Sequence, residues 1–265
     1  MKPLNKYLAE KLIINKDYQD NTIVVKSFDE LRKIIEDRYE KLGPGTKENP
    51  VDFNDIDVSY LDSFCDRNTG IFGDTNFKYI DISDWDVSNV TNMSFIFYNS
   101  EKLESIGDLS SWDVSNVTDM NGMFFYCNAL KTIGDISKWN VSNVTDMTRM
   151  FCECYYLNID LSGWNVSNVT DMDGMFCGCK SFNQDISSWD VSNVTDMSHM
   201  FQDCKNFNKD IHDWDVSKVT NMQFMFDNCE SFNQDLSNWD VSKVKIYVLM
   251  FHKCPIKDEY KPKFK

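Results

Sequence analysis

Apolar positions along this chain recur inside one repeated phrase. Aligned on its tryptophan, each copy approximates D-I-S-x-W-D-V-S-N-V-T-D-M-x-x-M-F-x-x-C-x-x-F-N. In the copy that begins at Asp185, Val194, Met197, Met200, Phe201 and Cys204 are spaced by 3, 3, 1 and 3. That spacing predicts the apolar face of a short helix. Ser192 or Thr195 would accept N–H groups at its start, with Asp196 at the positive end of its dipole. Upstream, Asp185-Ile186-Ser187 predicts a short strand with its isoleucine turned inward. One unit is therefore expected to be a strand, a turn through Trp189 and Val191, and a short helix.

The tryptophans are Trp85, Trp112, Trp139, Trp164, Trp189, Trp214 and Trp239, spaced by 27, 27, 25, 25, 25 and 25. No tryptophan lies outside the series, so the repeat is the architecture. A single unit cannot bury its apolar side alone, and stacking on the next copy does so. The pattern thus predicts an α/β solenoid of about seven to eight coils, each a short strand plus a short helix, over residues 51–254. Methionine and cysteine are adaptable fillers where like side chains must stack, and all twelve methionines after Met1 fall within the repeats. "FNDIDVSYLDSF" (Phe53–Phe64) reads as a degenerate first copy, with Ile56 in the tryptophan position. The last copy departs as well: Thr220 and Met222 of one unit become Lys245 and Tyr247 in the next. Residues 255–265 form a C-terminal tail.

Residues 1–50 have a different composition and predict a small α/β N-terminal cap. "TIVV" (Thr22–Val25) reads as a strand, and "SFDE" (Ser27–Glu30) as a capping box that opens a helix. Leu31, Ile34, Ile35, Tyr39 and Leu42 share one face of that helix, and Gly43-Pro44-Gly45 ends it. An earlier helix is expected from about Pro3 to Ile14.

The motif W-[DN]-V-S-N-V-T-[DN]-M-x-x-M-F-x-x-C-x-x-[LF], as in "WDVSNVTDMNGMFFYCNAL" (Trp112–Leu130), resembles the BspA-like repeats. These are a branch of the leucine-rich-repeat class known from bacterial surface proteins and mycoplasma lipoproteins. The resemblance covers about residues 51–254. It implies a leucine-rich-repeat-like stack that serves as an interaction scaffold, displayed on cells or in phages, with no shared activity.

Charge narrows the partners. The formal net charge is −15, and residues 51–254 alone hold 13 basic against 31 acidic side chains, a net −18. Such an array repels phosphate backbones, which argues against direct nucleic-acid binding, and favours either a protein partner with a basic surface or simply solubility. "MKPLNKYLAEKLIINKD" scatters lysines through its apolar residues and holds no secretory h-region. Nothing approaches 18 consecutive apolar residues, so no membrane span is expected. The address expected is cytoplasmic, with the cell surface or a virion, reached without a signal, as the alternative.

Chemistry is sparse. Six of the nine cysteines form one column: Cys127, Cys154, Cys179, Cys204, Cys229 and Cys254, expected as buried free thiols. "CEC" and "CGC" add Cys152 and Cys177, which raise zinc. On a helix, however, residues two apart point about 200° from one another. Cys152 and Cys177 are therefore expected to face outward as exposed, reactive thiols. Columns of aspartates (Asp160, Asp185, Asp210 and Asp235; Asp190, Asp215 and Asp240; Asp146, Asp171 and Asp196) raise calcium between coils. The reading preferred is that each accepts N–H groups within its own turn. "NVT" at Asn89, Asn116, Asn143, Asn168 and Asn193 fits a glycosylation sequon but comes with the repeat. His199, His212 and His252 sit at different phases, and no phosphate loop, nucleophile elbow or HExxH helix is present. No enzyme activity, cofactor or metal is expected.

Recognition is therefore sought where the copies differ. Before the tryptophans stand Asp84, Lys138 and Asp213, and just after them Asp190, Asp215 and Asp240. On the predicted helices stand Arg149, His199 and Phe224, followed by Tyr155 and Tyr156. Exposed aromatics and arginine suit interface hot spots. The function expected is a non-enzymatic protein-binding module with an acidic surface. Its specific form is an inhibitor of a basic, nucleic-acid-handling partner in a phage or bacterial setting. A surface adhesin or virion structural protein is the alternative.

Overall fold

The computed structural model describes residues 22–67 and 69–264; the helix expected near residues 3–14 lies outside them. The described chain begins with β1 (Ile23–Val24) and α1 (Phe28–Leu42). Ser27 caps α1 by accepting the Glu30 N–H at 3.3 Å, while Glu30 Oε2 accepts the Lys26 N–H at 2.8 Å. Leu31 and Ile35 are buried and Ile34 and Tyr39 pack beside them, but Leu42 points to solvent. The apolar stripe therefore ends one turn before the helix does. Gly43, at φ 71°, closes the helix with its N–H on the Tyr39 carbonyl.

Short parallel pairs join this cap to the first coils: β1 lies on β3 (Ile56–Asp57), and β2 (Val51–Asp52) on β6 (Ile80–Asp81). A small antiparallel pair, β4 (Cys65–Asp66) with β5 (Thr69–Gly70), projects from the first coil. Ile56 occupies the tryptophan place there: its N–H bonds the Phe53 carbonyl just as Trp85 N–H bonds that of Ile82. Arg32 on α1 donates to the carbonyls of Gly70, Ile71 and Gly73 at 2.9–3.1 Å. It thereby satisfies backbone oxygens of the first coil that have no earlier coil to accept from.

Beyond the cap, one coil lies on the next. Parallel bridges link Asn92, Asp119, Asp146, Asp171, Asp196, Asn221 and Ile246 in succession. Two aromatic ladders run through the interior. Trp112, Trp139, Trp164 and Trp189 stack at 6.3–6.5 Å with their planes within 7°. Phe97, Phe124, Phe151, Phe176, Phe201, Phe226 and Phe251 stack at 5.3–5.9 Å. Each tryptophan also ties two coils by hydrogen bond. Trp189 Nε1 donates to Leu161 O at 3.0 Å, and equivalent bonds start from the other six tryptophans.

Two local expectations fail. The strand at Asp185–Ser187 is instead a turn, because the Asp185 carboxylate takes the Ser187 N–H at 3.0 Å and Trp189 N–H bonds Ile186 O. The indole of the following coil's tryptophan then occupies the carbonyl that a ladder would have used. The short helix after each tryptophan is also absent among the described residues. Counting the tryptophan as position 0, residues +8, +10, +12 and +14 send their N–H groups to the next coil. In the Trp189 coil these are Met197, His199, Phe201 and Asp203, bonded to the carbonyls of Asn221, Gln223, Met225 and Asp227 at 2.9–3.0 Å. Alternate residues must turn left-handed to aim every N–H the same way: His199 has φ 57° and Asp203 φ 59°. The 3-3-1-3 spacing suits this ribbon of turns as well as it suits a helix, and inter-coil bonding decides between them.

The cysteine column has a bonding role. Cys127, Cys154, Cys179, Cys204 and Cys229 each donate Sγ–H to the position +12 carbonyl of the coil before, at 2.8–3.2 Å. In the first tryptophan coil Ser100 stands there and donates to Phe72 O at 2.9 Å. Burial pushes these thiols well above their ordinary pKa.

Candidate interaction surface

Because the backbone N–H groups at +8, +10, +12 and +14 run along the stack and the rest close turns within the coil, side chains at +9, +10, +13, +14 and +16 are free to vary. The letters at these places differ from coil to coil, whereas those facing inward are nearly constant. Position +10 reads Phe95, Gly122, Arg149, Gly174, His199, Phe224 and Leu249 down the stack, and all seven have φ between 53° and 60°. Arg149, His199 and Phe224, singled out from sequence on other grounds, thus fall into a single column. His199 stacks on Phe224 at 5.0 Å. The large residues lean along the column over their smaller neighbours: a Cβ on Gly122 would meet the Phe95 ring at 2.7 Å.

Around the upper part of this column the structure gathers an aromatic patch that sequence reasoning missed. Phe95 meets Tyr98 edge-on at 5.8 Å, Tyr98 meets Phe125 at 5.5 Å, and Phe125 stacks on Tyr126 at 4.3 Å. The Arg149 guanidinium lies 5.9 Å from the Phe125 centroid and pairs with Asp173 at 3.2 Å. Tyr155 continues the patch with Lys180 Nζ 3.5 Å from its ring centroid, and Tyr156 beside it is exposed. A hydrogen bond to the Glu153 carboxylate pushes the Tyr155 hydroxyl up to about 12, with burial and the neighbouring negative charge adding to the shift. Burial beside Cys152 and Glu153 raises Tyr126 too. Both phenols stay neutral donors at physiological pH.

The other candidates lie elsewhere. Asp84, Lys138 and Asp213 at position −1, and Asp190, Asp215 and Asp240 at +1, are all exposed along the edge that carries the tryptophan turns. The +1 carboxylates accept the N–H two residues on: Ser192 to Asp190, Ser217 to Asp215 and Ser242 to Asp240, each at 3.0 Å. The hydroxyls of Ser192 and Ser217, and after them these N–H groups, hold Asp190 and Asp215 below the usual carboxylate range. The −4 aspartates behave alike, with Asp185 and Asp235 lowered by the N–H and hydroxyl of the serine two residues on. This edge keeps its negative charge while its carboxylates shape the turns.

The third column, at +7, is half-buried. Desolvation raises Asp119 and Asp171, and neighbouring carboxylates of the same column add to the shift. The asparagines of the NVT phrase also serve the stack: Asn116, Asn143, Asn168 and Asn193 each donate Nδ2 to a serine carbonyl of the coil before at 2.7 Å.

Cys152 and Cys177 do not match their expectation. Cys152 is buried and Cys177 half-buried, and they face one another at +13 of adjacent coils. The helical angle that set them outward does not apply to a ribbon of turns. Cys154 and Cys179 point the other way, to the carbonyls of Phe124 and Phe151.

A protein-family profile described as "Mycoplasma protein of unknown function, DUF285" matches residues 67–176 and again residues 157–261. No curated protein and no solved structure matches the chain. No helix among the described residues is long and apolar enough to cross a membrane.

Proposed function

We propose that this chain, which belongs to the DUF285 family of Mycoplasma proteins of unknown function, is a non-enzymatic protein-binding module. It is a leucine-rich-repeat-like solenoid of the BspA type, read by its partner on the variable face. One observation carries the reading: differences between copies concentrate on outward positions of one uniform backbone ribbon, and they place Phe95, Tyr98, Phe125, Tyr126 and Arg149 side by side. Tyrosine and arginine on a rigid support are the residues that dominate interface energetics.

The partner proposed has a basic surface, such as the groove of a nucleic-acid-handling enzyme. The exposed aspartates of the tryptophan edge and the net −18 of residues 51–254 support this. In that arrangement the aromatic patch supplies affinity, while the acidic edge speeds encounter and sets the salt dependence.

The test is to capture the partner from the native host and measure its binding to two variants. One carries Tyr126→Ala, Arg149→Ala and Tyr155→Ala; the other carries Asp190→Asn, Asp215→Asn and Asp240→Asn. The patch variant should lose at least about thirtyfold in Kd, equivalent to one hot spot of about 2 kcal/mol. The edge variant should bind more slowly and less salt-dependently with little change in dissociation rate. Unchanged affinity in the patch variant refutes the reading.

A further inference from the structure

We propose that Cys152, Glu153 and Cys177 form a binding site for a thiophilic divalent cation of the zinc class, held between two adjacent coils. This inference does not rest on the protein-binding role. Sγ of Cys152, Sγ of Cys177 and a Glu153 carboxylate oxygen lie within 4.8 Å of one another. Two thiolates and one carboxylate form a donor set suited to zinc. With Zn–S near 2.3 Å and Zn–O near 2.1 Å, tetrahedral donors stand about 3.6–3.8 Å apart. Side-chain rotation of about 1 Å per group closes the site, and a fourth position is left for water.

Gly178 is the second, independent observation. A Cβ there would meet Glu153 Oε1 at 2.6 Å and Cδ at 2.8 Å. The missing side chain is what lets the carboxylate fold down beside Cys177. Backbone conformation does not explain this glycine. Gly178 has φ 73°, but the same column holds Tyr126, Glu153, Asp203, Asn228 and Lys253 at φ 53–65°. The column accepts a side chain in every one of those coils, and only below Glu153 is one removed. The pair of cysteines is equally local, because position +13 is Tyr98, Phe125, Gln202, Asp227 and His252 in other coils.

A thiol must give up its proton before its sulfur can ligate as a thiolate. Binding is then an exchange. The cation gains two Sγ bonds and one carboxylate bond, loses waters of hydration, and two protons leave to solvent. Affinity should rise with pH for that reason.

Full-length reduced protein, freed of metal by a chelator, is titrated with Zn²⁺ and separately with Co²⁺. The expected result is one equivalent bound, release of about two protons at neutral pH, and a cobalt–thiolate charge-transfer band in the near ultraviolet. Cys177→Ser should abolish that band. Gly178→Ala, which fills the space under the carboxylate, and Glu153→Gln should each weaken Zn²⁺ at least tenfold, while Cys204→Ser in the buried column leaves it unchanged. Circular dichroism confirms that each variant is folded. Absence of stoichiometric binding overturns the proposal, as does equal affinity in wild type and Cys177→Ser. Unchanged affinity in both Gly178→Ala and Glu153→Gln also overturns it, leaving only a dithiol that a disulfide oxidant would close.

Discussion

The buried cysteine column separates two accounts of the interior by the sign of one difference. If Cys204 merely fills space, alanine is a better replacement than serine, since a buried hydroxyl without a partner costs about 1–3 kcal/mol. If Cys204 is there to donate its Sγ–H to Phe176 O, 2.9 Å away, serine keeps the donor and alanine loses it. Both replacements shed the sulfur volume, so the cavity term largely cancels between them. Phe176 O also accepts the Cys179 N–H at 2.9 Å, so alanine does not strand that carbonyl. The lost bond is then worth about 0.5–1.5 kcal/mol. Cys204→Ser should therefore be the more stable of the pair by that amount, or roughly 1–3 °C in Tm for a chain of this size. Ser100 already performs this task in the first tryptophan coil. Guanidinium and thermal unfolding of the two variants side by side decide the matter. Cys204→Ala melting at or above Cys204→Ser refutes the donor role.

Two further outcomes follow from side chains that work against the fold. Asp171→Asn should raise Tm at pH 7 by removing like-charge repulsion from a desolvated column, worth roughly 0.2–1 kcal/mol; Asn92 and Asn221 show that an amide fits there. Because folding raises the Asp171 pKa, its penalty is present at neutral pH and absent below the unfolded value near 3.8. The advantage of the asparagine should therefore vanish in melts at pH 3. Leu249→Gly should stabilise by about 0.5–1 kcal/mol in chemical denaturation: Leu249 holds φ 55° with its side chain in solvent, and glycine removes the left-handed strain.

The period of the array was legible because each coil after the first holds one tryptophan, and the indole both stacks and donates across the coil boundary. Helix α1 was legible too, through its capping box and the Leu31–Ile35 stripe, because both signals are local to one helix. The ribbon of turns was not, since spacing alone cannot tell a helical face from turns whose bonds run to another coil. A clue lay at position +14, where Asn99, Asp203 and Asn228 are residues that tolerate left-handed backbone. The aromatic patch depended on register, since residues 27 apart such as Tyr98 and Phe125 become neighbours only once the coil-to-coil bonding is fixed. The Cys152–Cys177 pair was visible in the sequence, but a helical angle turned it outward there, whereas the ribbon of turns sets the two thiols face to face.

The uniform ladder along the stack has a consequence for how such a chain changes over generations. Since the bonds leaving Trp189's coil toward the next have nearly the same pattern as those leaving Trp164's or Trp214's, the junction left by losing or duplicating one whole 25-residue unit closes as well as the original. Unequal recombination between near-identical stretches of gene can then lengthen, shorten or reorder the exposed face by entire rungs, trading one binding pattern for another without new packing having to be invented.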